Sequence, residues 1–494
     1  MSRSHYDVII VGAGPAGIFA ALELSKVGGL SINILDKGPD IDKRRCPARE
    51  PGGHCAHCQP CRLLAGWGGA GAFSDGKLTL SPEVGGHLVD IIGYDETDEL
   101  IQQVDQAFVG FGAGGPVHGT DKDEVERLQK RASLAGLRLI SAPVRHLGTE
   151  RSGDVLRAMR DELIRRGVSI STGTEVVRIL AKDSQAVGVE TARGDVIKGQ
   201  YVVVAPGREG ATWLSEIART LRLSLCRNPV DVGVRVELPA EVLAPLTDLV
   251  YEPKLIYYSR AFDDKVRTFC VCPYGEVVTE YADNVMTVNG HSYANRRTAN
   301  TNFALLVSKS FTEPFKEPIA YGKYIARLAN LLSGSVIVQR LGDLDQGRRS
   351  TVERLARSVV TPTLKEATPG DLGLVLPYRY IVSLLEMLEV MDELAPGVYS
   401  RHTLLYGVEV KFYSSRLQLS NCLETEVHNL FAAGDGAGVT RGLVQASASG
   451  LVVARAILSR EKGSYPLRAD RNHEALLSVD HWLPDERRRL VADS

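Results

Sequence analysis

The chain has 494 residues, 44% apolar and 24% charged, which excludes a disordered, collagenous or coiled-coil protein and exceeds the roughly 250–300 residues at which a single hydrophobic core stops growing. Its 58 basic and 60 acidic side chains leave a net charge of −2, so no basic excess exists to neutralise a nucleic-acid backbone or an anionic membrane, and the expected partner is a small molecule. The 48 glycines fall in clusters without a fixed period, a pattern of phosphate-cradling turns and not of repeats.

The first predicted element is the β-branched run Tyr6-Asp-Val-Ile-Ile-Val11, which enters Gly12-x-Gly14-x-x-Gly17 directly and continues into a helix with apolar residues at Ile18, Ala21 and Leu22. The longest apolar stretch, Val8 to Leu22, is interrupted by Gly12, Gly14, Pro15 and Gly17 and falls short of the roughly 18–20 residues that span a bilayer. Asp7 at its head, Glu23 at its foot and the lack of a small-residue cleavage site argue against a secretory signal and predict a cytoplasmic chain. Within the turn, Gly12 permits the tight bend, Gly14 lets backbone approach a pyrophosphate, and Gly17 lets helix and strand pack closely; Pro15 and Ala16 open the helix, whose first N–H groups face an anion. A second strand, Ser31 to Leu35, ends in Asp36 with Lys37 behind it. Asp36 stands 24 residues after Gly12, near the roughly 20 expected of the carboxylate that grips an adenosine ribose.

Next comes a Pro/Gly-rich stretch carrying Cys46, Cys55, Cys58 and Cys61, with His54 and His57 among them. Cys-x-x-Cys steps let sulfurs converge on one ion, so the stretch is a candidate metal site for zinc; the same spacing suits an iron–sulfur cluster, a dithiol redox pair or unliganded thiols. A glycine-dense loop follows, with Gly68, Gly69, Ala70 and Gly71 ahead of Ser74 and Lys77. Gly110-Phe-Gly-Ala-Gly-Gly115 is read as a surface loop, since no helix start follows it. From Gly167 a strand and a β-rich stretch containing Val176 lead to Tyr201-Val-Val-Val-Ala205-Pro-Gly207. Cys270 and Cys272 alternate on a strand, which places them on one face, and an ordinary disulfide across one intervening residue is not expected. Near the far end, Asn429-Leu-Phe-Ala-Ala-Gly434-Asp435 reads as another buried strand, and a small-residue helix begins beyond Gly442 at Leu443 and Val444. Residues 461–494 read as a charged surface segment.

The strand Asn429-Leu-Phe-Ala-Ala-Gly-Asp435 and the helix beyond it resemble the C-terminal signature of FAD-dependent oxidoreductases of the glutathione-reductase type. The combination of VGAGPAG, GGAGAFSDGKL at 68–78, Thr268-Phe-Cys-Val-Cys-Pro273, Val288-Asn-Gly-His-Ser292, Glu409-Val-Lys-Phe-Tyr413 and FAAGDGAGVTRGLVQA is similar to the FAD-dependent dehydrogenase family often labelled NAD(FAD)-utilising dehydrogenase, distantly like geranylgeranyl reductases. The resemblance covers almost the whole chain, to about residue 460. It implies that Asp435 holds the ribityl chain, that Val176 meets the adenine through its backbone, and that the Gly68–Gly71 loop runs against the flavin with Ser74 and Lys77 near it.

The reading is an α/β protein: a discontinuous Rossmann-type FAD-binding domain (1–84, 151–215, 416–460) with an inserted α+β substrate domain (85–150, 216–415). The expected reaction is hydride transfer through flavin N5, dehydrogenating or reducing a C–C or C–N bond, with NAD(P)H as a candidate reductant. A monooxygenase using NAD(P)H and oxygen and a non-catalytic flavin/metal redox sensor are the alternatives. Lys77, Cys270, Cys272, Tyr274 and Lys411 are the candidate catalytic residues, with Tyr413, His291 and His402 behind them.

Overall fold

The protein is described here from a computed structural model, which covers residues 4–47, 56, 58–74, 76–226, 229–282, 285–293, 296–311, 315, 317–411 and 416–463. The chain divides into two compact units, one of residues 1–116, 145–227 and 414–494, the other of 117–144 and 228–413.

In the first unit, the apolar runs form a parallel sheet. β1 (His5–Val11) lies between β2 (Ile32–Asp36) and β6 (Val196–Val204), with β3 (Ser169–Thr172) outside β2 and β7 (Leu430–Ala432) on β6. All these neighbours are parallel, with Val8 opposite both Ile32 and Tyr201, and Val202 opposite Leu430. An antiparallel hairpin, β4 (Val176–Lys182) and β5 (Gln185–Thr191), branches from the start of β6. Val8, Ile9 and Ile10 are wholly buried, as expected of a parallel strand covered on both faces, which is why the run is continuously apolar and not alternating. Because the strands are parallel, the turns beginning at Gly12, Lys37, Ala205 and Ala433 all leave from one edge of the sheet. Strand order reverses between β1 and β6, so this edge carries the crevice in which open α/β sheets bind ligands.

Helices α1 (Pro15–Leu24) and α4 (Leu443–Lys462) pack against each other. A Cβ on Gly450 would fall 2.1 Å from the Ala16 carbonyl oxygen, so the crossing depends on that missing side chain. Arg455 of α4 donates to Glu23 at the end of α1 (2.8 Å) and to Gln103 of α2 (Tyr94–Gly110; 2.6 Å), while Phe19 and Phe108 stack with centroids 5.3 Å apart. These contacts place residues 85–116 in the first unit, a correction to the reading that assigned them to the second: α2 buries its apolar stripe on α1 and α4.

The second unit holds an eight-stranded, mainly antiparallel sheet. Its central strands, in spatial order, are Leu404–Lys411, Val230–Pro239, Asn300–Lys309 and Lys265–Cys272. Helices including Ala240–Val250 and Tyr378–Leu394 bury their apolar faces in the same core as these strands. The second unit is narrower than the expected 85–150 and 216–415, and no dinucleotide-type parallel sheet occurs in its described residues. No helix of the described residues is long and apolar enough to cross a membrane.

Candidate functional site

The glycine segments that lie far apart in sequence come together at the carboxyl edge of the first unit's sheet. The Gly68 N–H donates to the Ala13 carbonyl (2.8 Å), and a Cβ on Gly69 would lie 3.1 Å from the Gly14 Cα. One on Gly71 would lie 2.5 Å from a Leu443 methyl, one on Gly12 (φ +112°) 2.1 Å from the Ala205 oxygen, one on Gly434 3.1 Å from the Ala16 Cβ, and one on Gly436 2.5 Å from the Gly207 oxygen. Five turns therefore meet where only glycine fits between them. Gly17 is fixed for another reason: a Cβ there would strike the Gly12 oxygen at 2.0 Å.

Two helices start at this convergence. α1 begins behind Gly14 with Pro15 in its first turn, and α4 behind Gly442 (φ +95°); neither has a side-chain cap or an acidic residue in its first turn. Their first N–H groups and positive dipole ends are thus left to an anion. Space remains around Gly207 (φ +63°) and Gly442, where an added Cβ would meet nothing within 4 Å.

Two carboxylates flank the turns. Asp36 accepts from the Ala13 N–H and the Gly38 N–H, both at 2.8 Å, so it braces the glycine turn from the end of β2. Asp435 accepts from the Thr440 hydroxyl (2.9 Å) and the Gly442 N–H (3.3 Å). Burial raises its carboxyl above the ordinary range, against the opposing pull of Arg208 and these donors. Lys37 ion-pairs with Glu209. The Ser74 hydroxyl donates to the Gly71 carbonyl (2.9 Å) and accepts from the Gly76 N–H, closing its own turn. Val176 opens β4, buried and opposite Thr191. Ala70 lies within the Gly69–Phe73 turn, and Val444 is buried in the first turn of α4.

Two contributors escaped the sequence reading. Buried Arg44 donates to the carbonyls of Trp67 (2.7 Å), Gly69 (2.8 Å), Leu63 (2.8 Å) and Arg62 (3.1 Å), and its guanidinium covers Phe73. Burial lowers it to about 10, although Asp36 and Cys61 pull the other way. Gln445 donates to the carbonyls of Pro82 and Val84, tying the 82–84 stretch to α4. Neither sits in a recognisable pattern, because the partners are main-chain oxygens of distant residues.

Of the candidate metal ligands, Cys46, Cys58 and Cys61 are part-buried thiols outside any disulfide, while Cys55, His54 and His57 lie outside the described residues. The described residues hold no group of three His, Cys, Asp or Glu side chains able to take a metal, so the expected zinc or iron–sulfur site finds no support among them; the Cys61 carbonyl accepts from the Leu64 and Ala65 N–H groups.

The candidate catalytic residues divide between the units. Lys77, in the strand Lys77–Thr79, is half-buried in the first. In the second, Lys411 ion-pairs with buried Glu409 (2.8 Å) and lies 5.7 Å from the Phe269 ring centre, and Arg297 covers the Tyr274 ring. Fully buried Arg235 reaches Asn302 (2.8 Å), Glu409 (3.5 Å), the Cys270 carbonyl (2.6 Å) and the Cys272 sulfur (3.2 Å). Tyr413 lies outside the described residues. His402 meets Ser358 and Arg401, and His291 ends a hairpin strand.

Comparison with known families decides what this edge belongs to. The profile described as "FAD dependent oxidoreductase" matches residues 7–276, more than half of the chain, and one described as "FAD-dependent protein, C-terminal domain-like" matches 229–412. The chain belongs to the FAD-dependent oxidoreductase family. The second match nearly coincides with the larger segment of the second unit. An "Uncharacterized protein" of Clostridium beijerinckii is 28% identical over 92% of this chain and 80% of its own length. Protein FixC of Escherichia coli K12 is 26% identical over 49% of this chain and 46% of its own. Among solved structures, L-proline dehydrogenase from P. horikoshii superposes with a TM-score of 0.42 at 12% identity, covering 94% of this chain and 96% of that one. The uncapped helix starts, side-chain-free approaches and flanking carboxylates fit FAD, and the oxidoreductase is α/β as expected.

Proposed function

We propose that this oxidoreductase holds FAD along the carboxyl edge of the first unit's sheet and moves a hydride to or from a small organic substrate, at a C–C or C–N bond. The convergence of five turns, held close by their glycines, on two uncapped helix starts carries the reading. Gly12, Gly14, Pro15 and Ala16 would receive the pyrophosphate, with the N–H groups of the α1 start as donors and Gly17 letting that start pack close to the Gly12 turn. Asp36 would hold the adenosine ribose, with Lys37 beside it and Val176 against the adenine. Gly68, Gly69, Ala70, Gly71 and Ser74 would line the chain of the cofactor with Ala205 and Gly207. Gly434 and Asp435 would take the ribityl hydroxyls, and Gly442, Leu443 and Val444 would lie against the ring.

When bound, FAD supplies two-electron hydride chemistry. The protein's part is to orient the substrate and to hold the accompanying proton. Lys411 Nζ is a candidate for that proton, its ammonium kept in place by Glu409 at 2.8 Å. Lys77 Nζ and the Tyr274 hydroxyl are the other candidates.

The test is the ultraviolet–visible spectrum of protein purified without air, before and after NADPH. Two flavin bands are expected, and a colourless protein that cannot be reconstituted with FAD would remove the cofactor reading. Bleaching by NADPH supports a pyridine nucleotide as reductant; bands that persist would point to reduction by the organic substrate or by another electron donor.

A further inference from the structure

In a regular strand, residues two apart are separated by roughly 6.6 Å and their sulfurs stand side by side without meeting. The strand Lys265–Cys272 is not regular at its end. Its register against Asn300–Lys309 shifts between Phe269 and Cys272, so Phe269 faces Ala304 and Cys272 faces Asn302. Cys270 takes φ +47°, a left-handed conformation that a residue with a Cβ adopts only when its surroundings hold it there. The result is a distance of 3.9 Å between the Cys270 and Cys272 sulfurs. Both thiols are unjoined, but the bulge brings their sulfurs closer than regular alternation would.

The pair sits beside a fixed cation. Arg235 donates to the Cys272 sulfur at 3.2 Å and to the Cys270 carbonyl at 2.6 Å, so one guanidinium grips both ends of the bulge. Asn302 and Glu409 hold that guanidinium from the neighbouring strands. A Cβ on Gly290 would fall 2.0 Å from the same guanidinium nitrogen, so the hairpin strand Val285–His291 packs its backbone directly against it. A guanidinium N–H binds a sulfur anion more strongly than a neutral thiol. Cys272 is fully buried, whereas Cys270 is only part-buried, which separates the two sulfurs into one that a small oxidant meets and one held behind it.

We infer that Cys270 and Cys272 form a redox-active dithiol, oxidised to an intramolecular disulfide by a hydroperoxide. The Cys270 sulfur, as thiolate, attacks the terminal oxygen of ROOH. An S–O bond forms as the O–O bond breaks, and RO⁻ leaves as ROH with the proton released by the Cys270 thiol. The Cys272 thiolate beside Arg235 then attacks the Cys270 sulfur. An S–S bond forms as the S–O bond breaks, and hydroxide leaves as water with the Cys272 proton. Two thiols and one ROOH give one disulfide, one ROH and one water, with two electrons passing from sulfur to oxygen. This chemistry lies within the second unit and is independent of the substrate of the flavin reaction.

The test uses the full chain, reduced without air, dosed with hydrogen peroxide, then denatured, blocked with N-ethylmaleimide and mapped by peptide mass. The expected product is a peptide carrying both residues that is lighter by two hydrogens and unlabelled, at doses that leave Cys226 and Cys422 labelled; dithiothreitol restores labelling. In Cys272→Ser the sulfenic acid at Cys270 has no partner and is captured by dimedone, while wild type gives no adduct. Maleimide on both residues at doses that oxidise Cys226 or Cys422 would overturn the inference. So would overoxidised Cys270 beside labelled Cys272 in wild type. The wild-type map decides the matter even if the variant does not fold.

Discussion

At the scale of single residues, the two aspartates show how far type and spacing can carry a role. The distance of Asp36 from Gly12 predicts a ribose ligand, and in the fold its carboxylate accepts the Ala13 and Gly38 N–H groups and so shapes the glycine turn. Asp435 is held by Thr440 and Gly442, which aims a carboxylate that burial disfavours. Asp435→Ala is expected to weaken FAD by about 1.5–3 kcal/mol, the worth of a hydrogen bond to a charged group, or about 10- to 150-fold in Kd. Flavin retention after ultrafiltration measures it, and full occupancy in the variant would remove the role. Arg44 marks the limit of such reading. Four carbonyls between Arg62 and Gly69 converge on it, yet main-chain oxygens have no sequence signature, so only the folded loop reveals why an arginine stands there.

At the scale of elements, the strand–turn–helix at the start of the chain was legible because a parallel strand buried on both faces must be continuously apolar. The small residues of α4 were legible as a pattern, but their purpose was not. Gly450 is where α4 crosses α1, and a side chain there collides with the Ala16 oxygen. Gly450→Val is expected to destabilise by about 1–3 kcal/mol or more, as overpacking does, with flavin retention falling too because the crossing sets both helix starts. Gly153→Ala is the contrast: its site in α3 (Thr149–Arg165) meets only the end of Arg157, and a gain of about 0.5–1 kcal/mol is expected. Thermal unfolding of the two variants separates a glycine kept for contact from one that is not. The Cys270–Cys272 strand failed the alternation rule for the converse reason, since a bulge is set by neighbouring strands and not by the residues within it.

At the scale of the whole molecule, a buried charge tie between α1 and α4 is expected to contribute to acid stability. Glu23 is fully buried, 2.6 Å from Lys26 and 2.8 Å from Arg455. Burial pushes its carboxyl up, but the two cations outweigh it and bring it down to about 2; the same burial pushes the Lys26 ammonium down. A carboxyl lowered on folding contributes stability above its unfolded value near 4.5, lost as pH falls toward 2. The loss amounts to something on the order of 3 kcal/mol at 1.36 kcal/mol per pKa unit. Denaturant unfolding of the wild type should therefore weaken across that window. Glu23→Gln should be less stable at neutral pH, because it strands buried cations, and should lose less on acidification; an equal acid slope in the variant would assign the dependence elsewhere.

The sequence by itself determined the parallel-sheet unit, its glycine turns and the chemistry they suit, since those depend on local geometry that glycine, strand-terminal acid and helix start enforce. Only the tertiary structure decided that residues 85–116 belong with the first core, that Arg44 and Gln445 brace the loops, and that a bulge brings Cys270 and Cys272 within reach. Each of these rests on contacts between residues distant in the chain, where the partner is a backbone oxygen, a missing Cβ or a neighbouring strand's register, and none of these leaves a pattern in the order of amino acids.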